Sequence, residues 1–402
     1  IALAGPMVLR RRLARGKEDP ARVAEKRGHA SAPRAEGRLI WLHAVGLGEV
    51  LALRGLIAAM ARQDPALHFL VTSSARSSAQ VIGANLPPRT QHQYLPLDAP
   101  RYLARFFDHW QPDLSVWAEQ ELWPGAVVAA QLRGVPLALV NARMTDAGFA
   151  RRARARGLYA DLLARFALIT AQDTRSADHL RALGAAQVQV TGSLKSAAPP
   201  LSADLSALAQ AQAAVQGRRV WVAGSTHPGD EAQAMAAQST LWRADPRWLL
   251  ILAPRDVARA GAVASQLTQV RLPFARRSLG RVPAPGDAVW LADTYGEMGL
   301  WYRLAQAALI GGGFDAIGGH NPWEAAHFDA AILHGPDISN FQNDYKALHD
   351  EAAAIAVPFG ALTDALQNPD LPDIARRAAQ IVQRAAGGLD PLAADLLGLV
   401  PR

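Results

Sequence analysis

Cysteine is absent from all 402 residues of the chain. That excludes disulfides, zinc–thiolate sites and a cysteine nucleophile, and it accords with a reducing compartment. No HExxH and no other tight His/Asp spacing occurs, so no metal site is expected. Aromatic residues make up only 6% and do not interleave with the basic ones, which removes the usual nucleic-acid-binding patterns and with them a nucleic-acid partner. Long apolar runs are missing too. The stretch from Ile1 to Leu9 has nine residues, where a bilayer crossing takes roughly 20.

What is present reads as globular: half the residues are hydrophobic and 19% are charged, and 402 residues suffice for two domains with full cores. The net charge of +7 is unevenly spread. Arg10, Arg11, Arg12, Arg15 and Lys17 crowd the start, and Arg151, Arg152, Arg154 and Arg156 form a second group. Such groups suit anionic lipid headgroups or phosphorylated substrates, and the second group equally suits a plain solvated basic face. The chain begins with Ile1, and its apolar start runs into Arg10–Arg12. This predicts the end of an N-terminal anchor with a basic cytoplasmic flank; a short interfacial helix or a cleaved signal remnant is the alternative.

Short apolar runs alternate with amphipathic helical stretches. Strands are expected at Leu39–Leu42, His68–Val71, Gln91–Leu95, Leu114–Ala118, Pro136–Val140, Leu168–Thr170 and Gln187–Val190. A helix is expected at Glu49–Arg62, with Leu53, Leu56, Ile57 and Met60 on one face. The segment from Ser193 to Leu208 then turns small, polar and proline-containing, a linker composition. A second series follows at Arg219–Ala223, Trp248–Ala253, Ala288–Leu291, Ala307–Ile310 and Ala330–Leu333. Strand–helix alternation implies parallel sheets, so two α/β lobes are expected, with ligands beyond the carboxyl ends of the strands. The expected boundaries are 1–18 for a membrane-proximal segment, 19–195 for the first lobe, 196–208 for the linker and 209–402 for the second lobe.

Six motifs stand at strand ends. In His43-Ala44-Val45-Gly46-Leu47-Gly48-Glu49 the glycines permit a tight turn. Glu49 falls in a first helical turn, where the helix dipole favours negative charge, so it can take a proton from a substrate hydroxyl or merely stabilise the helix start. Glu119-Gln120-Glu121-Leu122-Trp123-Pro124 sets two carboxylates around a glutamine, suited to sugar hydroxyls or to orienting a base, or simply solvated. Asn141-Ala142-Arg143 also ends a strand, and Arg143 can pair with an anion. In the second lobe, Gly224-Ser225-Thr226-His227 and Pro254-Arg255 suit phosphate at strand ends. Ile310 to Glu324 packs five glycines into nine residues, from Gly311 to Gly319, and predicts a backbone cradle for phosphate. Asn321, Pro322 and Glu324 also read as a capping box for the next helix.

These motifs, with RGKEDPARVAEKRG, TGSLK, ARRS, DTYGEMGLWY and HGPDISNF, occur in the order found in the 3-deoxy-D-manno-octulosonic acid (Kdo) transferases. The chain resembles that family from Arg15 to about Ala386. The resemblance implies a GT-B fold, two Rossmann-like α/β lobes with parallel sheets facing each other across a cleft. The first lobe would bind the acceptor and the second the nucleotide sugar. It implies inverting transfer of Kdo from CMP-Kdo to a lipid A precursor in lipopolysaccharide inner-core synthesis, without metal or any cofactor besides the donor. It also implies work at the cytoplasmic face of the bacterial inner membrane, with the inner-membrane surface as a partner. The family's general base maps onto Glu49, supported by Glu119 and Glu121. Its donor side maps onto Ser225, Thr226, Arg255, Gly318, Gly319, His320, Asn321 and Glu324, with Lys195 toward the donor carboxylate. His43, Gly48 and Arg143 fall on the acceptor side. Two departures stand out: Gly46 replaces a customary serine, and Asp256 a frequent histidine. A GT-B transferase with another nucleotide sugar and a non-catalytic two-lobed sugar- or nucleotide-binding protein are the alternatives. Oligomeric state is not addressed by the sequence.

Overall fold

The computed structural model describes residues 5–15, 18–45, 47–74, 86–119 and 122–401, with backbone alone at 6, 47, 48 and 51. The chain forms two compact units, Ile1–Pro199 with Ala385–Arg402, and Pro200–Arg384. Among the described residues each unit holds one seven-stranded sheet, and every strand pairing is parallel.

In the first unit the strands are β1 (Leu39–His43), β2 (His68–Ser73), β3 (Thr90–Tyr94), β4 (Leu114–Ala118), β5 (Leu137–Ala142), β6 (Leu168–Ala171) and β7 (Gln189–Val190). Their order is β3-β2-β1-β4-β5-β6-β7. The winding reverses between β1 and β4, so the turns leaving these two strands part and open a crevice at their carboxyl ends. Both strands are buried throughout, as a parallel sheet covered on both faces requires. The helix Pro100–Trp110 shows how sequence makes a cover. Tyr102, Leu103, Phe106, Phe107 and Trp110 recur at helical spacing and are all buried. Phe106 and Phe107 pack on Trp41 of β1, with ring centroids 4.9 and 5.5 Å apart.

The second unit contains β8 (Arg219–Thr226), β9 (Trp248–Pro254), β10 (Phe274–Arg276), β11 (Val289–Leu291), β12 (Ala307–Ile310), β13 (Ala331–His334) and β14 (Ala354–Ala356), ordered β10-β11-β9-β8-β12-β13-β14. Here the reversal lies between β8 and β12. The short edge strands β10 and β14 were not expected from the sequence. Each has three residues, too few to display a period.

Two boundaries differ from the expectation. The linker expected at 196–208 divides at Pro199/Pro200. Ser196 and Ala197 are buried in the first unit, whereas Leu201, Ala203, Ala207 and Leu208 pack on the second unit's core. The tail, expected with the second lobe, belongs to the first unit. Leu389, Leu392, Ala393 and Leu396 of helix Leu389–Gly398 share a core with Leu53, Leu56, Ile57 and Met60 of helix Leu47–Gln63. Gly55 makes room for this packing: a Cβ there would lie 2.8 Å from the Ala197 carbonyl oxygen and 3.0 Å from Leu389 Cδ1.

Candidate active site

In the first unit the turns leaving β1 and β4, the strands that flank the winding reversal, carry the two carboxylates. Glu49 sits in the first turn of helix Leu47–Gln63, and its Oε2 accepts the Val45 amide at 3.0 Å. Glu119 follows β4 directly. Its backbone is left-handed (φ 63°), a costly state for a residue with a Cβ that packing elsewhere must hold in place. The Glu119 side chain is only 11% exposed. Lys195 Nζ stands 3.1 Å from Glu119 Oε1. Burial, opposed by Lys195 and reinforced by the neighbouring Glu49 charge, pushes the Glu119 carboxyl up to about 7.

Lys195 is brought there by the Asn141 motif. Asn141 is buried, left-handed (φ 56°) and located at a register shift between β5 and β6. Its Oδ1 accepts the Leu194 amide at 2.9 Å, tying the loop before Lys195 to the end of β5. The expected donor-side lysine therefore lies in the carboxylate cluster of the first unit.

The acceptor-side expectations fare unevenly. His43 is buried rather than offered to a ligand: Nδ1 meets Thr72 Oγ1 at 2.9 Å and its ring packs edge-on against Trp117. Burial drives its pKa down to about 3, so the ring is neutral. Gly48 lies in the first turn of helix Leu47–Gln63. Arg143, just past β5, is half-buried, and its Nε has no hydrogen-bond partner among the described residues. Glu121 and Gly46 lie outside the described residues.

In the second unit β8, β9 and β12 converge their carboxyl ends. Ser225 is left-handed (φ 54°) at a register shift between β8 and β9. Thr226 is fully buried, with its hydroxyl turned to Glu231 and the Ala253 carbonyl, and so it is not presented to a ligand. Arg255, past β9, is exposed, and its charge acts on both His320 and Glu324. His320 Nε2 lies 2.9 Å from His227 Nε2 with the rings stacked. Burial first, then the Arg255 and His227 charges, lowers His320 to about 4. One ring of the pair must donate and the other accept.

The glycine loop differs from the expected open cradle. The Asp230 carboxylate already fills it, accepting the amides of Gly312 (2.6 Å), His227 (2.9 Å) and Phe314 (3.1 Å). Asp315 takes the Gly229 amide at 2.9 Å. The amides of Gly311, Gly319 and His320 go to the carbonyls of Gly224, Gly312 and Gly311. The glycines serve close approach instead: a Cβ on Gly311 would sit 2.3 Å from the Ser225 carbonyl oxygen, and one on Gly313 would sit 2.7 Å from the Gly335 amide nitrogen. Gly318 and Gly319 are left-handed (φ 92° and 73°), and the Asn340 amide donates to the Gly318 carbonyl at 2.9 Å. The capping box is partial. Asn321 Oδ1 accepts the Trp323 amide at 3.2 Å, while Glu324 turns to the Asn321 side chain rather than back to the backbone. Burial raises the Glu324 carboxyl. Asp256 caps the turn Val257–Arg259 through the Ala258 amide.

Sequence reasoning missed four groups. Asp230 and Asp315 carry no signal beyond first-turn or loop acids. Arg276 pairs with Asp293 at 2.7 Å and Arg277 with Glu297 at 2.6 Å, a double brace that pins the loop from Asp293 to Met298. ARRS and DTYGEM are thus two halves of one structure, and the opposed charges seventeen and twenty residues apart were the available signal. Among the described residues no three His, Asp or Glu side chains cluster as a metal site.

Residues 21–198 match the family described as 3-deoxy-D-manno-octulosonic-acid transferase (kdotransferase). The chain is 32% identical over 349 residues to the 3-deoxy-D-manno-octulosonic acid transferase of Rickettsia bellii, covering 87% of this chain and 83% of that protein. It is 30% identical to the same-named protein of Haemophilus influenzae, covering 86% of this chain and 82% of that one. Among solved structures, the UDP-GlcNAc 2-epimerase of Neisseria meningitidis superposes with a TM-score of 0.60 at 12% identity over 90% of this chain and 99% of that one. A glycosyltransferase from Rickettsia africae gives 0.55 at 10% identity, covering 90% and 99%. At such identities these structures speak for the GT-B fold. The relatives speak for more: this chain belongs to the 3-deoxy-D-manno-octulosonic acid transferase family, and it is a glycosyltransferase.

Proposed function

We propose that the protein transfers Kdo from CMP-Kdo to a lipid A precursor, with inversion at the anomeric carbon, at the inner-membrane surface. The observation that carries this reading is the Glu49–Glu119 carboxyl pair at the winding reversal of the first unit, in a chain of this family. The donor's anomeric carbon is fully substituted and bears a carboxylate, so its bond to the CMP oxygen breaks with oxocarbenium character. The acceptor hydroxyl oxygen bonds to that carbon as its proton passes to the Glu49 carboxylate. Arg143 supplies a cation for an anionic group on the acceptor. In the second unit Arg255 neutralises the departing phosphate, and the His227–His320 pair offers it a hydrogen bond. Asn321 and Glu324 hold the nucleoside. Because Asp230 takes the loop amides, the leaving phosphate is served by side chains more than by the glycine backbone.

The membrane part of the reading rests on helix Gly5–Ala14, where Met7 and Val8 are exposed ahead of Arg10 and Arg11. Among the described residues no helix is long and apolar enough to cross a membrane. An exposed apolar pair beside a basic cluster suits the surface of anionic lipids.

The test is to incubate the protein with CMP-Kdo and a tetraacylated lipid A precursor and weigh the lipid product. The expected result is a mass increase of whole Kdo residues with release of CMP. Transfer from UDP- or GDP-sugars, with none from CMP-Kdo, would replace the donor assignment.

A further inference from the structure

β13 lies beside β12, and the segment from His334 to Phe341 that leaves it runs along the loop carrying His320, Asn321 and Glu324. In that loop Gly318 and Gly319 are both left-handed, and glycine loses more freedom on folding than any other residue, so bonds from outside matter to its order. The segment supplies them. The Asp337 amide donates to the Gly313 carbonyl at 3.0 Å, and the Asn340 amide donates to the Gly318 carbonyl at 2.9 Å. The Asn340 side-chain amide donates to the Ile317 carbonyl at 2.6 Å. The approach is close: a Cβ on Gly318 would lie 2.6 Å from Ser339 Oγ.

Helix Gln342–Asp350 follows and adds two holds nearer the site. Tyr345 is fully buried, and its hydroxyl donates to the His320 carbonyl at 3.3 Å. Asp344 is buried, and its Oδ1 accepts the indole N–H of Trp323 at 2.6 Å, short as a bond to a carboxylate is. Trp323, also buried, stands between Asn321 and Glu324 in the chain, and its own amide donates to Asn321 Oδ1. The helix is tied in turn to the end of β13. His349 Nε2 lies 2.8 Å from His334 Nε2, and the Tyr345 ring packs on that of His334 with centroids 4.3 Å apart. We propose that Asp344 is a positioning residue for the nucleotide donor: through the Trp323 indole it sets where Asn321 and Glu324 stand. This rests on the donor side of the reading given under Proposed function. The nucleoside is unchanged while the sugar–phosphate bond breaks, so a displaced Asn321 or Glu324 weakens substrate and transition state alike. The loss then falls on KM for the donor rather than on kcat.

CMP affinity by calorimetry, with KM and kcat for CMP-Kdo, tests this. Asp344→Ala and Trp323→Phe each break the tie. Each should weaken CMP binding and raise the donor KM about tenfold, with kcat at saturating donor within about twofold of wild type. The two residues share one bond, so the double variant should lose no more than the worse single variant. Asp344→Asn keeps an oxygen that accepts the indole N–H and should restore most of the affinity. A role in stability alone gives another pattern, in which affinity follows the thermal midpoint across the variants and the double variant is additive. That pattern, or unchanged CMP affinity in the folded single variants, would overturn the role. Trp323→Phe keeps an aromatic ring in place and decides the matter if Asp344→Ala does not fold. Wild-type protein that binds no CMP removes the donor reading and this role with it, whereas wild-type binding with unaffected variants removes this role alone.

Discussion

At the scale of single residues, three side-chain-bearing positions among the described residues are left-handed at the carboxyl ends of strands, Glu119, Asn141 and Ser225, and each lies in a sequence motif. Such backbone costs on the order of 1–3 kcal/mol each and persists where surrounding contacts hold it. Glu119 sets a carboxyl against Lys195, Asn141 anchors the lysine loop, and Ser225 passes beside Gly311. Asp230 shows the opposite case, a residue with structural work only. It is fully buried and holds three loop amides in place. Asp230→Ala leaves those donors unmet, and loss of charge-assisted bonds predicts at least about 3 kcal/mol lower stability in chemical denaturation of the second unit. A loss under about 1 kcal/mol would mean the loop finds other partners.

Among elements, the strands that were legible in the sequence include those with four or more apolar or β-branched residues in a row, such as β5, β9 and β12, because full burial in a parallel sheet demands them. β10 and β14 escaped because edge strands need little apolar content. The tail escaped for a different reason. Leu389, Leu392, Leu396 and Val400 have a clear helical spacing, but spacing does not say which unit they cover. In the candidate site, Glu49, Glu119 and Arg255 were legible as charged residues at strand ends. The partners that define their chemistry were not, since Lys195 lies 76 positions beyond Glu119 and meets it only through the order of β4, β5 and β6. The glycine run was legible as a loop, but its amides were assigned to a ligand where the fold supplies Asp230. For the tail, Leu396→Ala should cost about 2–5 kcal/mol. Hydrogen exchange should show faster opening of helix Leu47–Gln63 with β13 unaffected. Loosening confined to the second unit would contradict the packing.

For the whole molecule, the division of labour follows the two units. The first holds the carboxyl pair, its lysine and Arg143; the second holds Arg255, the histidine pair and Glu324. Each set grows from the carboxyl ends of the strands at its own winding reversal, which is where this fold leaves space for ligands. The proposed base in one unit and the proposed nucleotide site in the other predict that chemistry and donor binding separate cleanly by mutation. The most direct test is Glu49→Gln, followed in parallel by Kdo transfer to the lipid A precursor and by calorimetric titration with CMP. The account predicts transfer reduced by about 10²–10⁴-fold with CMP affinity unchanged. Near-wild-type transfer by this variant would contradict it.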